Sequence, residues 1–473
     1  MPRVAIVGGG PGGLMTARLL ERALGRSCRL TLFEASSRLG GKIQTRSFDS
    51  APVLYEAGVA ECYAYDTIGH DPLRQLIDEL GLTALPTASS AVVMNGTLLR
   101  DEREVGIHFG DRAERAIEDF RRKAVAMLPK ARWYGGFGPD DNRHPWASRT
   151  CADILDEVPH PIARRYLEIT AHSDMATEPH LTTGLIGLRN FLKSVAGYGA
   201  QYSIEGGMEM LPRALASSLV RTDVVLDTPV VQVSVARHDH YILTTRRARQ
   251  FARHEFDAVV LALPYQRLPE ITWAGERLRR AMAAHVAHYD RPGHYLRVSI
   301  LFDRPFWRDR LPGSWVMLDA FGGCCVYADP PAHSAETHGV LGWLLAGSEA
   351  LSSCNCDDRT LIARVLESLP DDLYAEACRR MIEGKVHRWA GAVSGQPGGC
   401  PLRDIITAHQ PEPHEHPGLV VVGDYLSDST LNGVLRSAQV ATDLLRARCK
   451  SQARRAKRPG TFPPCPTCPR IPS

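Results

Sequence analysis

The apolar residues of this chain fall into short blocks that switch between the periods of strand and helix. Residues 4–7 are a continuous apolar run closed by glycine, the pattern of a strand buried on both faces of a parallel sheet. Over residues 12–24, Leu14, Ala17, Leu20 and Leu24 share a helical face, and Gly25 stands where a helix can end. Residues 29–34, R-L-T-L-F-E, read as a second strand, so the chain opens with a complete β-α-β unit. Asp71 is placed to cap, and Pro72 to start, a helix that stops at Gly81. Residues 91–99 predict a hairpin, because Asn95-Gly96 supplies the positive φ angles of a tight turn.

From 112 to about 192 the pattern is mostly helical, with breaks at Pro129, at Gly135-Gly136 and over 159–161. Strand-like runs follow at 230–235, 241–245 and 256–261, the last ending at Pro264. A second strand-rich stretch covers 295–345, and helices are expected between 357 and 381. Residues 419–422 form another buried strand, and 431–448 the final helix. No repeat of fixed period is present.

Composition narrows the class. At 473 residues the chain is long enough for two or three compact domains. Its 44% hydrophobic and 23% charged content belongs to a globular protein with a large core. A formal charge of +3 gives no reason to expect nucleic acid or an acidic membrane as partner. No apolar run approaches the roughly 18 residues of a membrane span. Met1-Pro2-Arg3 leads straight into the first strand, without a secretory signal, so a cytoplasmic location is expected. The 12 cysteines are scattered, as in a reduced intracellular enzyme. Residues 450–473 are basic and Pro-rich and are expected to be disordered. Cys465-Pro-Thr-Cys468 is a lone CxxC pair without the second pair that zinc needs, so no metal is expected.

The chemistry begins at V-A-I-V-G-G-G-P-G-G-L, where Gly8, Gly10 and Gly13 have GxGxxG spacing between a strand and a helix. Gly8 allows the tight turn, Gly10 lets a pyrophosphate approach the backbone, and Gly13 lets the helix pack on the strand. Pro11 and Gly12 open that helix, whose free N–H groups attract phosphate. Glu34 ends the second strand, where a carboxylate can accept hydrogen bonds from a ribose diol. A glycine-rich turn with a surface glutamate is the bland alternative, and the intact unit argues against it.

Three features point to FAD rather than NAD. After Glu34 comes Ala35-Ser36-Ser37-Arg38-Leu39-Gly40-Gly41-Lys42, with two more glycines for close backbone approach and two cations for phosphate. V-V-V-G-D, ending at Gly423 and Asp424, is a late buried strand whose aspartate can bind ribityl hydroxyls or pyrophosphate. The final helix starts at Thr430-Leu431-Asn432-Gly433, so its positive end can stabilise an anionic reduced flavin ring.

These residues resemble the flavin-containing amine oxidase superfamily, which includes monoamine oxidases, L-amino acid oxidases, protoporphyrinogen oxidase and carotenoid desaturases. The resemblance runs nearly to Arg448 and is specific mainly in the FAD segments. It implies an α/β fold class: a Rossmann-type FAD-binding domain, discontinuous in sequence, with an α+β substrate domain of mixed sheet and helices. The expected FAD-binding parts are 1–85, 206–285 and 396–449, the substrate parts 86–205 and 286–395, and the tail 450–473. It also implies that Gly58, Val59 and Ala60, in Y-E-A-G-V-A-E, pass close to the flavin ring. Val230, in T-P-V-V-Q-V, matches a position whose backbone meets the adenine, and Leu431 one whose N–H reaches the flavin. Gly206-Gly207 is a further family-like landmark.

The substrate side departs from the family. Many members carry a lysine ten residues before the Trp of P-F-W; here P-F-W ends at Trp307 and the position is Arg297. An arginine can hold a water or a substrate carboxylate but stays protonated, so it is no base; a structural ion pair is the alternative. Thr430 replaces one wall of the monoamine oxidase aromatic cage, and the other wall falls near Gly399. No flavin-linking cysteine stands at the aligned position, though Cys400 is near, so noncovalent FAD is expected. The resemblance places 166–202 in the substrate cavity, with His172, Ser173, Asp174, Glu178 and His180 as polar candidates beside cap or surface roles. Tyr202 and Trp389 are candidate walls, although large aromatics are most often core.

The expected reaction is hydride transfer from a C–H next to an amine nitrogen to the flavin, giving an imine, with O2 as acceptor. Arg297, Trp389 and His172 are the residues expected nearest the chemistry. The Arg-, Ala-, Gly- and Pro-rich composition suggests specialised metabolism. Rival readings are a C–C desaturase of the same fold and a noncatalytic FAD-binding interaction protein; an NADPH-dependent monooxygenase lacks the second GxGxxG it would need. The expected partner is a small-molecule substrate, and the oligomeric state is open, a homodimer being one option.

Overall fold

The computed structural model describes residues 1–456 except 65–70, 88–90, 131–132, 134–136, 194, 196–199, 238–239, 329–336, 396–400 and 428. Gly399, Cys400, the Gly135-Gly136 break and the Cys465/Cys468 pair therefore lie outside the described residues.

The expected opening unit forms: strand Arg3–Val7, helix Pro11–Leu24 and strand Arg29–Phe33. Its strands belong to a five-stranded parallel sheet ordered Thr222–Val225, Arg29–Phe33, Arg3–Val7, Ala258–Leu261, Leu419–Val421. Three distant stretches of chain thus build one sheet. Alternation divides its side chains between two cores. Val4, Ile6, Leu32, Val260 and Val420 pack against Leu14 and Leu20 of the first helix and Leu435 and Ala438 of the last. Ala5, Val7, Val259, Leu261 and Val421 face Tyr241, Leu268, Met282 and Tyr425. Both faces are covered, as the continuous apolar runs require.

The second body is a seven-stranded mixed sheet ordered Met381–Ser394, Pro292–Phe302, Gly339–Ala346, Cys324–Ala328, Trp315–Leu318, Ala91–Met94, Thr97–Leu99. Only the Trp315–Leu318 and Ala91–Met94 pair is parallel among its described neighbours. Helices Asp358–Glu367 and Asp371–Arg380 cover one face, through Leu361, Val365 and Leu373. Met317, Cys325 and Leu344 point to the other, into a core shared with helices Asp111–Met127, Pro161–Met175 and Gly184–Lys193. A parallel Rossmann-type sheet beside a mixed α+β body is the fold class the sequence implies.

Local chemistry explains most boundaries. Asp71 accepts hydrogen bonds from Leu73 and Arg74 at 3.0 and 3.1 Å and starts the helix Pro72–Glu79. Asn95 and Gly96 take φ of 52° and 72° and close the hairpin. Other elements differ from expectation. The run over 256–261 is two strands, because Asp257 breaks it: its N–H bonds to Arg3 O at 2.8 Å and its carboxylate accepts from Arg3 N at 2.7 Å. Gln250–Phe256 goes to a small antiparallel sheet and Ala258–Leu261 to the parallel one. Helix Glu102–Phe109, capped by Asp101, and the 14-residue strand Met381–Ser394 were not foreseen. The last helix continues past Arg448 to Ala456, into the stretch expected to be disordered tail.

Candidate active site

The glycine turn follows the first strand at the carboxyl end of the parallel sheet, the edge where such sheets hold ligands. Gly8 has φ of 107°, and its N–H bonds to Phe33 O at 2.8 Å. A Cβ on Gly13 would lie 1.9 Å from Gly8 O, so the helix can pack on the turn only without a side chain there. Gly10 is different: a Cβ there would meet nothing nearer than Gly41 at 3.8 Å, leaving its face open. Pro11 sits in the first turn of the helix, Gly12 follows it, and that turn holds no acidic residue. Its positive end is therefore free for an anion.

Glu34 anchors the turn from the second strand. One carboxylate oxygen accepts from Gly9 N at 2.7 Å, the other from Ser36 N at 2.9 Å and Ser36 Oγ at 2.7 Å. Ala35 is exposed. Thr228 N–H donates to Glu34 O at 2.8 Å and Asp227 N–H to Ser36 O at 3.0 Å, drawing up the start of the strand that begins at Val230. Arg38 serves the loop itself, donating to the carbonyls of Leu39 (3.0 Å), Ile43 (3.3 Å) and Gly41. Gly40 N–H reaches Gly9 O at 2.8 Å and ties that loop to the glycine turn. Lys42 then bridges to Asp424 at 2.9 Å, joining the first and last segments of the domain. Gly423 N–H is held by Ser437 Oγ at 3.1 Å.

From Pro11 and Lys42 a cavity, with about 1510 Å³ of empty space counting its open mouth, runs past Gly58, Val59 and Ala60 to Asp424, Thr430 and Leu431. Gly58 is confined: a Cβ would lie 1.9 Å from Lys42 O. Trp389 Nε1 donates to Ala57 O at 2.7 Å and holds this segment from the mixed sheet. Thr430 Oγ1 accepts from Gly433 N at 3.1 Å, leaving the amino end of the last helix facing the cavity. Glycines at each close approach, an acid at the nucleotide end and a long channel to a second helix terminus fit FAD.

Beyond Ala60 the cavity continues into a chamber between the mixed sheet and helices Pro161–Met175 and Gly184–Lys193, lined by Glu61, Tyr63, Asp174, Lys193, Tyr295, Arg297 and Trp389. Asp174 is satisfied: it accepts from Tyr63 OH at 2.9 Å and pairs with Lys193 at 3.2 Å. Tyr295 OH donates to Ser173 O at 2.8 Å. Arg297 is only 5% exposed, yet makes no hydrogen bond or ion pair among the described residues. It stacks over Tyr327, 5.1 Å from the ring centroid. Tyr327 OH donates to Glu61 Oε1 at 3.1 Å, while Glu61 Oε2 has no partner among the described residues. Protein surrounds Glu61, and the surface it exposes faces the cavity. Burial therefore raises its pKa, against the pull of Arg297. Burial likewise raises Glu56 to about 7 and pushes the Tyr63 and Tyr327 hydroxyls well above their usual range.

The structure brings together Arg297 and Trp389 but not His172. His172 is 3% exposed and lies off the cavity, its ring between Gly323 O at 3.0 Å and Glu178 at 3.4 Å. Glu178 in turn accepts from Ser348 N at 2.8 Å, so this pair clamps two chain segments. His180 and Ser173 also lie outside the lining, and Tyr202 is core, beneath Arg74. Sequence reasoning missed Glu61, Tyr63, Lys193, Tyr295 and Tyr327. Two carried a signal: Tyr295 is two residues from Arg297 on the same strand face, and Glu61 follows the flavin-facing Gly58 segment directly.

A Rossmann glycine turn and a channel leading to a chamber against the mixed sheet define a two-part, FAD-dependent oxidoreductase. Residues 11–445 match the family described as flavin containing amine oxidoreductase, and the chain belongs to that family, with FAD as its cofactor. Solved structures agree in fold. A putrescine oxidase bound to putrescine superposes with a TM-score of 0.69 at 18% identity, covering 94% of this chain and 99% of that one. Cyclohexylamine oxidase from Brevibacterium oxydans IH-35A gives 0.70 at 17% identity, covering 95% and 99%. No curated protein matches the sequence. Among the described residues no helix is long and apolar enough to cross a membrane, and no group of residues is arranged to hold a metal ion.

Proposed function

We propose that the enzyme oxidises a small amine at the C–H next to its nitrogen, giving an imine, with O2 as the electron acceptor. One observation carries this reading: the chamber beyond the Gly58–Ala60 segment holds a carboxylate, Glu61, next to the Arg297 guanidinium, and among the described residues one Glu61 oxygen and the guanidinium have no hydrogen-bond or ion-pair partner. Such a chamber suits a polar, nitrogen-bearing substrate and would have to desolvate charges to admit a polyene. Bound FAD supplies the hydride acceptor. Gly58, Val59 and Ala60 form one wall of the reacting space, and Trp389 keeps that wall in place through Ala57. Arg297 orients the substrate by donating hydrogen bonds; permanently charged, it does not move a proton. Thr430 leaves the helix end open rather than closing an aromatic cage, so a substrate bulkier than a caged primary amine fits. The solved putrescine oxidase holds a diamine in the same fold, which supports an amine.

The test is anaerobic bleaching of the yellow holoenzyme by putrescine, cyclohexylamine, benzylamine, a set of amino acids and a carotenoid. Bleaching by amines or amino acids, with peroxide formed on readmitting air, is expected. Bleaching by the carotenoid alone would transfer the enzyme to C–C oxidation.

A further inference from the structure

Glu61 stands between two cavities. On one side is the chamber; on the other is a smaller side cavity that shares Ala60, Glu61 and Arg297 with it. The side cavity runs between the mixed sheet and strand Ala200–Ile204, and reaches partly exposed residues at Gln201, Ser314 and Trp315. Its lining residues include Glu56, Ser203 and Thr87, and the hydroxyls of Ser203 and Thr87 are buried without partners among the described residues. With Glu61, these residues line one side cavity. Buried polar atoms of this kind are where ordered water resides.

We propose that Glu61 takes the ammonium proton of the substrate and passes it through this side cavity to solvent. The proposal rests on the amine reading above. Amines reach the enzyme mostly as R–CH–NH3⁺, which has no lone pair to form an imine. The N–H bond breaks to the Glu61 carboxylate, forming an O–H bond and freeing the nitrogen lone pair. The C–H hydride then leaves to FAD, and the lone pair becomes the second C–N bond of R–C=NH2⁺. The Glu61 proton moves into the side cavity, so each turnover releases one proton and reduces the cofactor by one hydride. Among the described residues no other carboxylate lining the chamber is free: Asp174 already accepts from Tyr63 and pairs with Lys193, and Asp424 pairs with Lys42.

The groups around Glu61 favour this role. Arg297 faces it from strand Pro292–Phe302, and Tyr327 and Cys325 from strand Cys324–Ala328. Asp174 and Lys193 face it from their helices, Tyr295 from the Arg297 strand, and Cys62 and Tyr63 adjoin it in sequence. Arg297, Lys193 and the Tyr327 hydroxyl favour the carboxylate, while burial and Asp174 raise its proton affinity. A carboxylate with a raised pKa is a better proton acceptor near neutrality than an exposed one.

The experiment follows the rate of anaerobic bleaching against pH, using whichever of putrescine, cyclohexylamine or benzylamine bleaches the wild type. For Glu61→Gln the spectrum and FAD content are expected to match wild type. Its rate should fall about tenfold per pH unit below the amine pKa, reaching about 100- to 1000-fold below wild type at neutral pH and converging with it above about pH 10. Glu61→Asp should restore part of the neutral rate. Tyr327→Phe removes a donor to the carboxylate, so its acid limb should move to higher pH, and it decides the matter if Glu61→Gln loses FAD. A wild-type pH profile in Glu61→Gln, or an unmoved limb in Tyr327→Phe, overturns the proposal while leaving the amine reading intact. Failure of every amine and amino acid to bleach the wild type overturns both.

Discussion

Arg297 shows how much one residue can reveal at the residue scale. Its place on the strand was legible from the spacing to Trp307, and the structure adds that its charge is buried without an acceptor in hydrogen-bond range among the described residues. A buried guanidinium with free donors is costly unless something else takes them. A ligand in the chamber is the natural acceptor. Arg297→Met should therefore lower kcat/KM by about 10- to 100-fold, the worth of one hydrogen bond to a charged group, with FAD content unchanged. Arg297→Lys should fall between. Steady-state kinetics beside the 450 nm flavin absorbance checks this, and wild-type kinetics in both variants would reduce Arg297 to a structural role. Glu61 and Tyr327 were not legible because their meaning is relational. They come from a strand-like segment near residue 60 and a hairpin near 325, and only the assembled sheets make them neighbours.

At the scale of elements, legibility followed local chemistry. Asp71-Pro72 and Asn95-Gly96 named their elements because caps and turns are decided within four residues. Strand Met381–Ser394 escaped notice because its residues are half-buried throughout, so no apolar alternation marks it. Pairing with Pro292–Phe302 makes it a strand, and that is a tertiary cause. Asp71 also reaches beyond its own helix, accepting from Asn432 Nδ2 at 3.4 Å, in the first turn of the last helix. Asp71→Ala is thus expected to cost more than an ordinary cap, about 1–2 kcal/mol, and to loosen the helix that borders the cavity. Chemical denaturation with and without added FAD should show the loss, and a smaller stabilisation by FAD than in wild type. A cost below about 0.5 kcal/mol with unchanged FAD stabilisation would show that the link carries no load.

The whole molecule closes its FAD end with a segment far away in sequence, and buried neutral histidines fasten that segment. His409 Nε2 meets Ser437 Oγ at 2.9 Å, and the same hydroxyl accepts from Gly423 N. His285 meets Tyr425 OH at 3.2 Å. Both hold the stretch that carries Asp424, Thr430 and Leu431. Burial lowers His285 to about 3, and His288, His387 and His409 to about 4. A histidine whose folded pKa lies below its unfolded value near 6.5 contributes stability that is intact above that value. The contribution is lost as pH falls towards the folded pKa. Glu56, raised to about 7, and Glu61 act in the opposite sense, since their raised pKa values favour the fold as pH drops. The signature is consequently a difference between variants rather than one midpoint. His409→Gln keeps an acceptor for the Ser437 hydroxyl but cannot titrate, so it should release FAD at lower pH than wild type, within the window between about pH 6.5 and 4. Flavin fluorescence, which rises when FAD is freed, measures the midpoint for each protein. Coincident midpoints would mean that the C-terminal clasp opens for another reason, and that His409 is only a packed ring.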